Sequence, residues 1–331
     1  MFIIHDYTTA VLFCIITMLC WGSWANTQKL AAKSWRFELF YWDYVIGILI
    51  LSLVFAFTLG SMGCIGRPFL EDMRQASSAS LRSAIVGGVI FNAANILLCA
   101  AIAIAGMSVA FPVGIGLALV IGVVVNYIDQ PIGNSTWLFI GVALITMAIS
   151  LNAYAYRKSS AGDTKVSGKG LMLSILAGIL MGYFYKYVAA SMVTDFSLPE
   201  NGKLTPYTAV VMFSTGILLS NFIFNTMLMR KPFAGMPVSF NDYFKGGLKD
   251  HVTGILGGMI WCIGMSFSII ASGQAGTAIS YGLGQGATVV AAVWGIYIWK
   301  EFISASSLVK IILNIMLLIY VIGLGMIIYA R

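Results

Sequence analysis

AGMSVAFPVGIGLALVIGVVVNYI runs from Ala105 to Ile128, and AGTAISYGLGQGATVVAAVWGIYI runs from Ala275 to Ile298. A shift of 170 residues lays one on the other without a gap. Ala105-Gly106 meets Ala275-Gly276, Gly114 and Gly116 meet Gly284 and Gly286, and Tyr127-Ile128 meets Tyr297-Ile298. Upstream, Gly87-Gly88 meets Gly257-Gly258. Chance likeness between two apolar segments does not keep a turn signal and a GxG spacing together. The chain therefore reads as two copies of one unit.

Both copies are built from apolar runs of about 20 residues, the length a helix needs to cross about 30 Å of hydrocarbon. A membrane β-barrel would instead alternate in segments of about 10 residues. Ten helices are predicted, near Thr8–Asn26, Leu39–Leu59, Leu81–Ile104, Met107–Ile128, Trp137–Tyr156, Leu171–Val193, Pro206–Met229, Val252–Ala271, Ala275–Trp299 and Ser307–Ala330. The polar stretch Arg157–Gly170 divides them. The expected organisation is an all-α integral membrane protein: a five-helix repeat over 1–156, a cytoplasmic linker over 157–170 and a second repeat over 171–331. Five is odd, so the second copy must enter the membrane inverted. Inverted repeats around a midplane site are a recurring design of secondary transporters.

Composition agrees. Of 331 residues, 60% are hydrophobic and only 9% charged, against about 25% charged in a soluble domain. Lipid must cover part of so much apolar surface. The net charge of +7 reflects Lys and Arg gathered in loops, which reads as topology and not as nucleic-acid binding. Lys29, Lys33, Arg36, Arg157, Lys158, Lys165, Lys169, Arg230, Lys231, Lys245, Lys249, Lys300 and Lys310 fall on one side. Arg67, Arg74, Arg82, Lys203 and Arg331 fall on the other. The larger group marks the expected cytoplasmic side, with both termini outside. MFIIHDY at the N-terminus lacks the basic region of a cleavable signal.

Enzymatic chemistry finds little support. His5 and His251 sit at predicted helix ends, and there is no HExxH, Cys/His cluster or paired intramembrane carboxylate. The five cysteines lack CxxC spacing and read as small buried hydrophobes, so no metal is expected. Gly162 to Lys169 approaches a phosphate-binding loop, but it has one residue too many and Gly170 where Ser or Thr belongs.

Polar groups within the bilayer are costly and point to a pathway or site. Asn92 and Asn95 share a helix face and suit solute contact or helix-to-helix hydrogen bonding equally. Gln285 lies between Gly284 and Gly286, small neighbours that let a ligand approach. Lys186, in YFYKYV, either extends its ammonium to the interface or pairs with solute or proton. Asp43 is a coupling candidate or an interface residue. In WGSWANTQK (21–29), counting 1.5 Å per residue from Lys29 puts Trp24 about 7–8 Å and Trp21 about 12 Å below the interface. That is deep for an aromatic belt, so both are stacking candidates, Trp24 the stronger because Asn26 is near.

Several stretches resemble the ureide permeases and the bacterial glucose/ribose-porter-like proteins of the drug/metabolite transporter superfamily. They are Gly22-Ser23-Trp24, Asp43-Tyr44, Thr58–Gly60, Gly87-Gly88 with Asn95, Asn126-Tyr127, Lys231–Pro237, Gly273–Ala275, Gln285 and Trp294-Gly295 with Glu301. The resemblance implies secondary transport of a small polar solute, a ureide-type heterocycle or a monosaccharide. It implies a proton, or alternatively sodium, as coupling ion and no other cofactor. Gly22, Trp24, Asn95 and Gln285 match that pattern. The central loop is short beside that of the plant proteins, which suggests a bacterial inner-membrane protein. A monomer is a plausible state. Competing readings are an exporter of lipophilic or cationic compounds and a non-transporting receptor.

Overall fold

A computed structural model describes residues 1–32, 35–63, 65–105, 107–159, 167–233, 235–300 and 302–331, with the backbone alone at 107–109 and 111–112. The helices are α1 (Tyr7–Ser23), α2 (Phe37–Phe57), α3 (Phe69–Gln75), α4 (Ser78–Ala105), α5 (Met107–Asp129), α6 (Ser135–Ser159) and α7 (Gly168–Ser191). There follow α8 (Pro206–Arg230), α9 (Phe240–Phe244), α10 (Leu248–Ala275), α11 (Thr277–Gly284), α12 (Ala287–Val293) and α13 (Ser307–Tyr329). Among the described residues there is no strand, only an isolated bridge between Met192 and Leu204. Among the described residues nine spans are long and apolar enough to cross a bilayer, and Val113–Asp129 of α5 forms a shorter apolar helix. The chain is an all-α membrane protein of about ten helices.

Side chains mark where the spans begin. Asp6 accepts from Thr9 N at 2.8 Å and caps α1. Ser306 accepts from Val309 N and caps α13. Gly276, at φ +81°, ends α10 and begins α11 in a single residue, a left-handed conformation that glycine adopts without strain. This is the turn expected at Ala275-Gly276. Its counterpart Gly106 lies outside the described residues, as do Lys33, Lys165, Glu301, Cys64 and most of the Gly162–Lys169 loop.

Two pairs of helices cross with their backbones nearly touching. A Cβ on Gly47 of α2 would collide with Ile255 O of α10, and one on Gly258 of α10 with Tyr44 O of α2. A Cβ on Gly216 of α8 would collide with Ile85 O of α4, and one on Gly88 of α4 with Phe213 O of α8. Gly88 and Gly258, like Ile85 and Ile255, are the residues that the 170-residue shift equates. Small residues at such crossings let dispersion contacts form where lipid removes the hydrophobic drive between helices.

The structure corrects three boundaries. α1 stops at Ser23, and Trp24–Leu30 continues as a tighter 3₁₀ turn, not as the α-helix expected to Asn26. The expected ninth helix is broken: α11 ends at Gly284, Gln285 and Gly286 form a turn, and α12 resumes at Ala287 before a π-helical turn over Trp294–Ile298. At the break the Gln285 carbonyl accepts from Thr288 N at 3.3 Å and from the hydroxyls of Tyr320 (3.2 Å) and Thr288 (3.1 Å). Such substitutes make a broken helix tolerable at membrane depth. Finally, the expected loops 60–80 and 230–251 each contain a short helix, α3 and α9. In α9 a capping box between Ser239 and Asp242 sets the start.

Candidate functional site

A cavity of about 670 Å³ lies between the spans. Trp21 and Trp24, Phe91 and Asn95 of α4, Phe184 of α7, Trp261 of α10, Gln285 at the helix break and Tyr320 of α13 all face it. It reaches exposed Ala25 and Lys29 at one end.

The floor is aromatic. Phe91 and Trp261 meet with ring centroids 4.5 Å apart, and the 170-residue shift equates these two positions. Around Trp261 stand Tyr44 (6.4 Å) and, 4.5 Å from Tyr44, Trp24. Around Phe91 stand Phe184 (5.2 Å) and Phe213 (5.6 Å). The rings thus fall into two triplets. One triplet carries indole and phenol groups, and the other is pure phenylalanine.

Beyond the floor the bundle is shut. Tyr185 OH lies 3.1 Å from Ser268 Oγ and 3.3 Å from Ser280 Oγ, and Tyr281 OH donates to Met181 O at 3.0 Å. At that surface Arg67 pairs with buried Asp72 (3.0 Å), which also accepts from Thr205 N and its hydroxyl. At the open end, Trp299 Nε1 donates to Asn26 Oδ1 (2.7 Å), Trp294 Nε1 donates to Ser23 Oγ (2.9 Å), and Lys29 Nζ sits 4.1 Å over Trp299. These contacts tie the 3₁₀ turn to the π turn at the mouth.

Four expected residues meet in this cavity: Trp21, Trp24, Asn95 and Gln285. Their states differ. Trp21 donates its indole N–H to Trp261 O at 3.2 Å and stacks on that ring at 5.8 Å, so it is wall. Among the described residues, neither amide atom of Gln285 has a partner within the chain, and Asn95 Oδ1 has none either. Asn95 Nδ2 donates to Tyr41 OH at 3.1 Å.

The other three are elsewhere. Asn92 is buried behind the wall and bonded to Tyr41, Ser220 and Ile217. Lys186 pairs with Asp129 at 3.1 Å near the closed end; both are about two-fifths exposed and neither lines the cavity. Asp43 is buried but also off the cavity. It accepts from Tyr243 OH (2.6 Å) and faces His251 Nδ1 at 3.0 and 3.1 Å. On α9, burial and the nearby Asp43 push the Tyr243 phenol well above its usual range. Sequence reading missed Tyr41, Phe91, Trp261 and Tyr320, whose aromatic rings carry no signal that separates a wall from a core.

The charged lining residues are Lys29, Arg36 and Glu38, at the mouth, with Arg36 and Glu38 paired at 2.6 Å. Among the described residues the deep lining has aromatic rings and amides and no ionised group. Nor does any group of His, Cys, Asp and Glu suited to a metal occur among them.

A bundle of membrane-spanning helices around a cavity whose deep lining is amide-bearing and uncharged fits a membrane carrier for small solutes. The chain belongs to the ureide permease family, whose model matches residues 40–169 and 162–330. It is similar to ureide permease 1 of Arabidopsis thaliana, 23% identical over 382 aligned residues that cover 98% of this chain and 97% of that one. It is also similar to the glucose uptake protein GlcU of Bacillus subtilis (strain 168), 26% identical over 282 residues that cover 83% of each. A solved structure described as "Crystal structure of protein" shares the fold, with a TM-score of 0.61, 13% identity and 96% of both chains covered. The chain is therefore a membrane permease and not an enzyme.

Proposed function

We propose that the protein imports an uncharged polar ring, either a nucleobase- or ureide-type heterocycle or a monosaccharide, by secondary active transport. The observation that carries this reading is the pairing of unsatisfied amides with aromatic faces. Gln285 and Asn95 Oδ1 face the cavity with no partner among the described residues, and Trp24 and Trp261 line the same cavity. A flat or apolar ring face can stack there while its edge bonds the amides. Leaving such a buried group unpaired costs about 1–3 kcal/mol, enough to choose between ligands. The names of the plant and Bacillus relatives point to the same two solute classes.

Alternating access is supported by the matched crossings of α2 with α10 and α4 with α8, the geometry of an inverted repeat. With the Lys29 end cytoplasmic, the observed state opens inward. A proton is the proposed coupling ion and Asp43, which shares its carboxylate with His251 and Tyr243, its carrier. Export of cations is disfavoured by a deep lining without an acid. The test is uptake into proteoliposomes of radiolabelled uracil and glucose. Gln285→Ala and Asn95→Ala should each cut uptake about 10-fold or more at unchanged expression; normal uptake by both would place the site elsewhere.

A further inference from the structure

Behind Asn95 a line of buried hydrogen bonds has a direction. Ser220 Oγ donates its one proton to backbone carbonyls of its own helix, Gly216 O at 2.8 Å or Ile217 O at 3.0 Å. Its oxygen can therefore only accept from Asn92 Nδ2, at 2.9 Å. The same Nδ2 donates to Ile217 O at 3.3 Å. A carbonyl has no proton to give, so turning the Asn92 amide over would set oxygen against oxygen. Two anchors thus fix Asn92 with Oδ1 toward Tyr41.

The consequence passes along the line. Tyr41 OH donates to Asn92 Oδ1 at 2.9 Å, which spends its only proton. Its oxygen must then accept from Asn95 Nδ2, at 3.1 Å. Asn95 is left with Oδ1 toward the cavity. Tyr41 and Asn92 are fully buried, and Ser220 and Asn95 nearly so, so water does not scramble the order.

We infer that Tyr41 and Asn92 are specificity-determining positioning residues: they hold Asn95 as a hydrogen-bond acceptor, and the solute must present an N–H or O–H donor to it. This rests on the proposed transport of an uncharged ring. The requirement is shared by the two solute classes, a ring N–H in a heterocycle and a hydroxyl in a sugar. Gln285, whose two amide ends have no partner among the described residues, imposes no such sign.

The experiment compares binding of parent and donor-deleted probes to the purified protein, read by quenching of tryptophan fluorescence. One series is uracil with its N1- and N3-methyl derivatives. The other is glucose with its mono-deoxyfluoro derivatives, in which fluorine can accept weakly but never donate. Wild type should bind one derivative of the active series about 10-fold more weakly than the parent. In Tyr41→Phe the Asn95 amide loses the partner that orients it, and the parent-to-derivative ratio should fall toward one. Asn92→Leu should do the same by a separate route, since Tyr41 can then turn its proton to Asn95 Oδ1. A merely structural role would weaken parent and derivative alike and leave the ratio unchanged. Equal binding of all derivatives to wild type, or an unchanged ratio in whichever variant folds, overturns the inference while transport of the ring stands. Binding of neither parent removes both the ring reading and the inference built on it.

Discussion

Gln285 shows what a single residue can reveal. Among the described residues its amide has no hydrogen-bond partner, at a point where the helix itself is interrupted. A polar group inside the membrane with no partner is costly, and a ligand is the simplest thing that removes the cost. Lys186 is the contrast. In sequence its charge suits a site and an interfacial role equally, but the structure pairs it with Asp129 at an exposed edge. A pair exposed to that degree contributes about 0–1 kcal/mol. Lys186→Gln should therefore leave solute uptake within about twofold of wild type, measured in proteoliposomes. Abolished uptake would return Lys186 to the site. Counting residues along a helix gives depth but not the facing side, which is why Lys186 and Gln285 were hard to separate beforehand. Tyr41 was not singled out because its role depends on Asn92 and Asn95, 51 and 54 positions away.

At the scale of elements, the crossings and the break position the site. α4 carries Phe91 and Asn95, and Gly88 lets it lie directly on α8. A methyl at Gly88 meets backbone, which cannot swing aside. Gly88→Ala should destabilise the protein by about 1–3 kcal/mol, seen as a lower melting temperature in detergent. Gly325→Ala on α13, where a Cβ meets nothing within 4 Å, should be neutral or slightly stabilising, because alanine favours helix. Equal effects would mean that the crossings are not close-packed. The spans were legible because apolar length is a strong signal. The ends were less so, since Ser23 and Gln285 stop regular helix by local hydrogen bonding within otherwise apolar runs. The short α9 was hidden in a polar loop, although Ser239 and Asp242 have capping-box spacing.

At the scale of the molecule, one end is sealed by tyrosines and the Arg67–Asp72 network while the other opens past Trp299. The two clusters of rings around the cavity differ in character. One groups Trp24, Tyr44 and Trp261, and the other groups Phe184, Phe213 and Phe91. Of these rings, Trp24, Trp261, Phe91 and Phe184 line the cavity. The proposed coupling belongs to this scale, because Asp43 of α2 meets His251 of α10 and Tyr243 of α9, and their partnership joins residues 200 and 208 positions apart. Asp43→Asn cannot release a proton. It should lose uptake driven by an imposed pH gradient while keeping exchange of labelled for unlabelled solute. Gradient-driven uptake that persists would move the coupling site away from Asp43.

The central claim is that Trp24 forms one face of a solute site. Its most direct test is the melting temperature of the purified protein with allantoin, uracil, xanthine, ribose, glucose and rhamnose in turn. A ligand at 100 times its dissociation constant stabilises the folded state by about 2.7 kcal/mol. The account predicts a clear rise with at least one of these rings, lost in Trp24→Ala when each variant is compared with its own unliganded melting temperature. A rise that survives Trp24→Ala unchanged would contradict it and leave the tryptophan as packing alone.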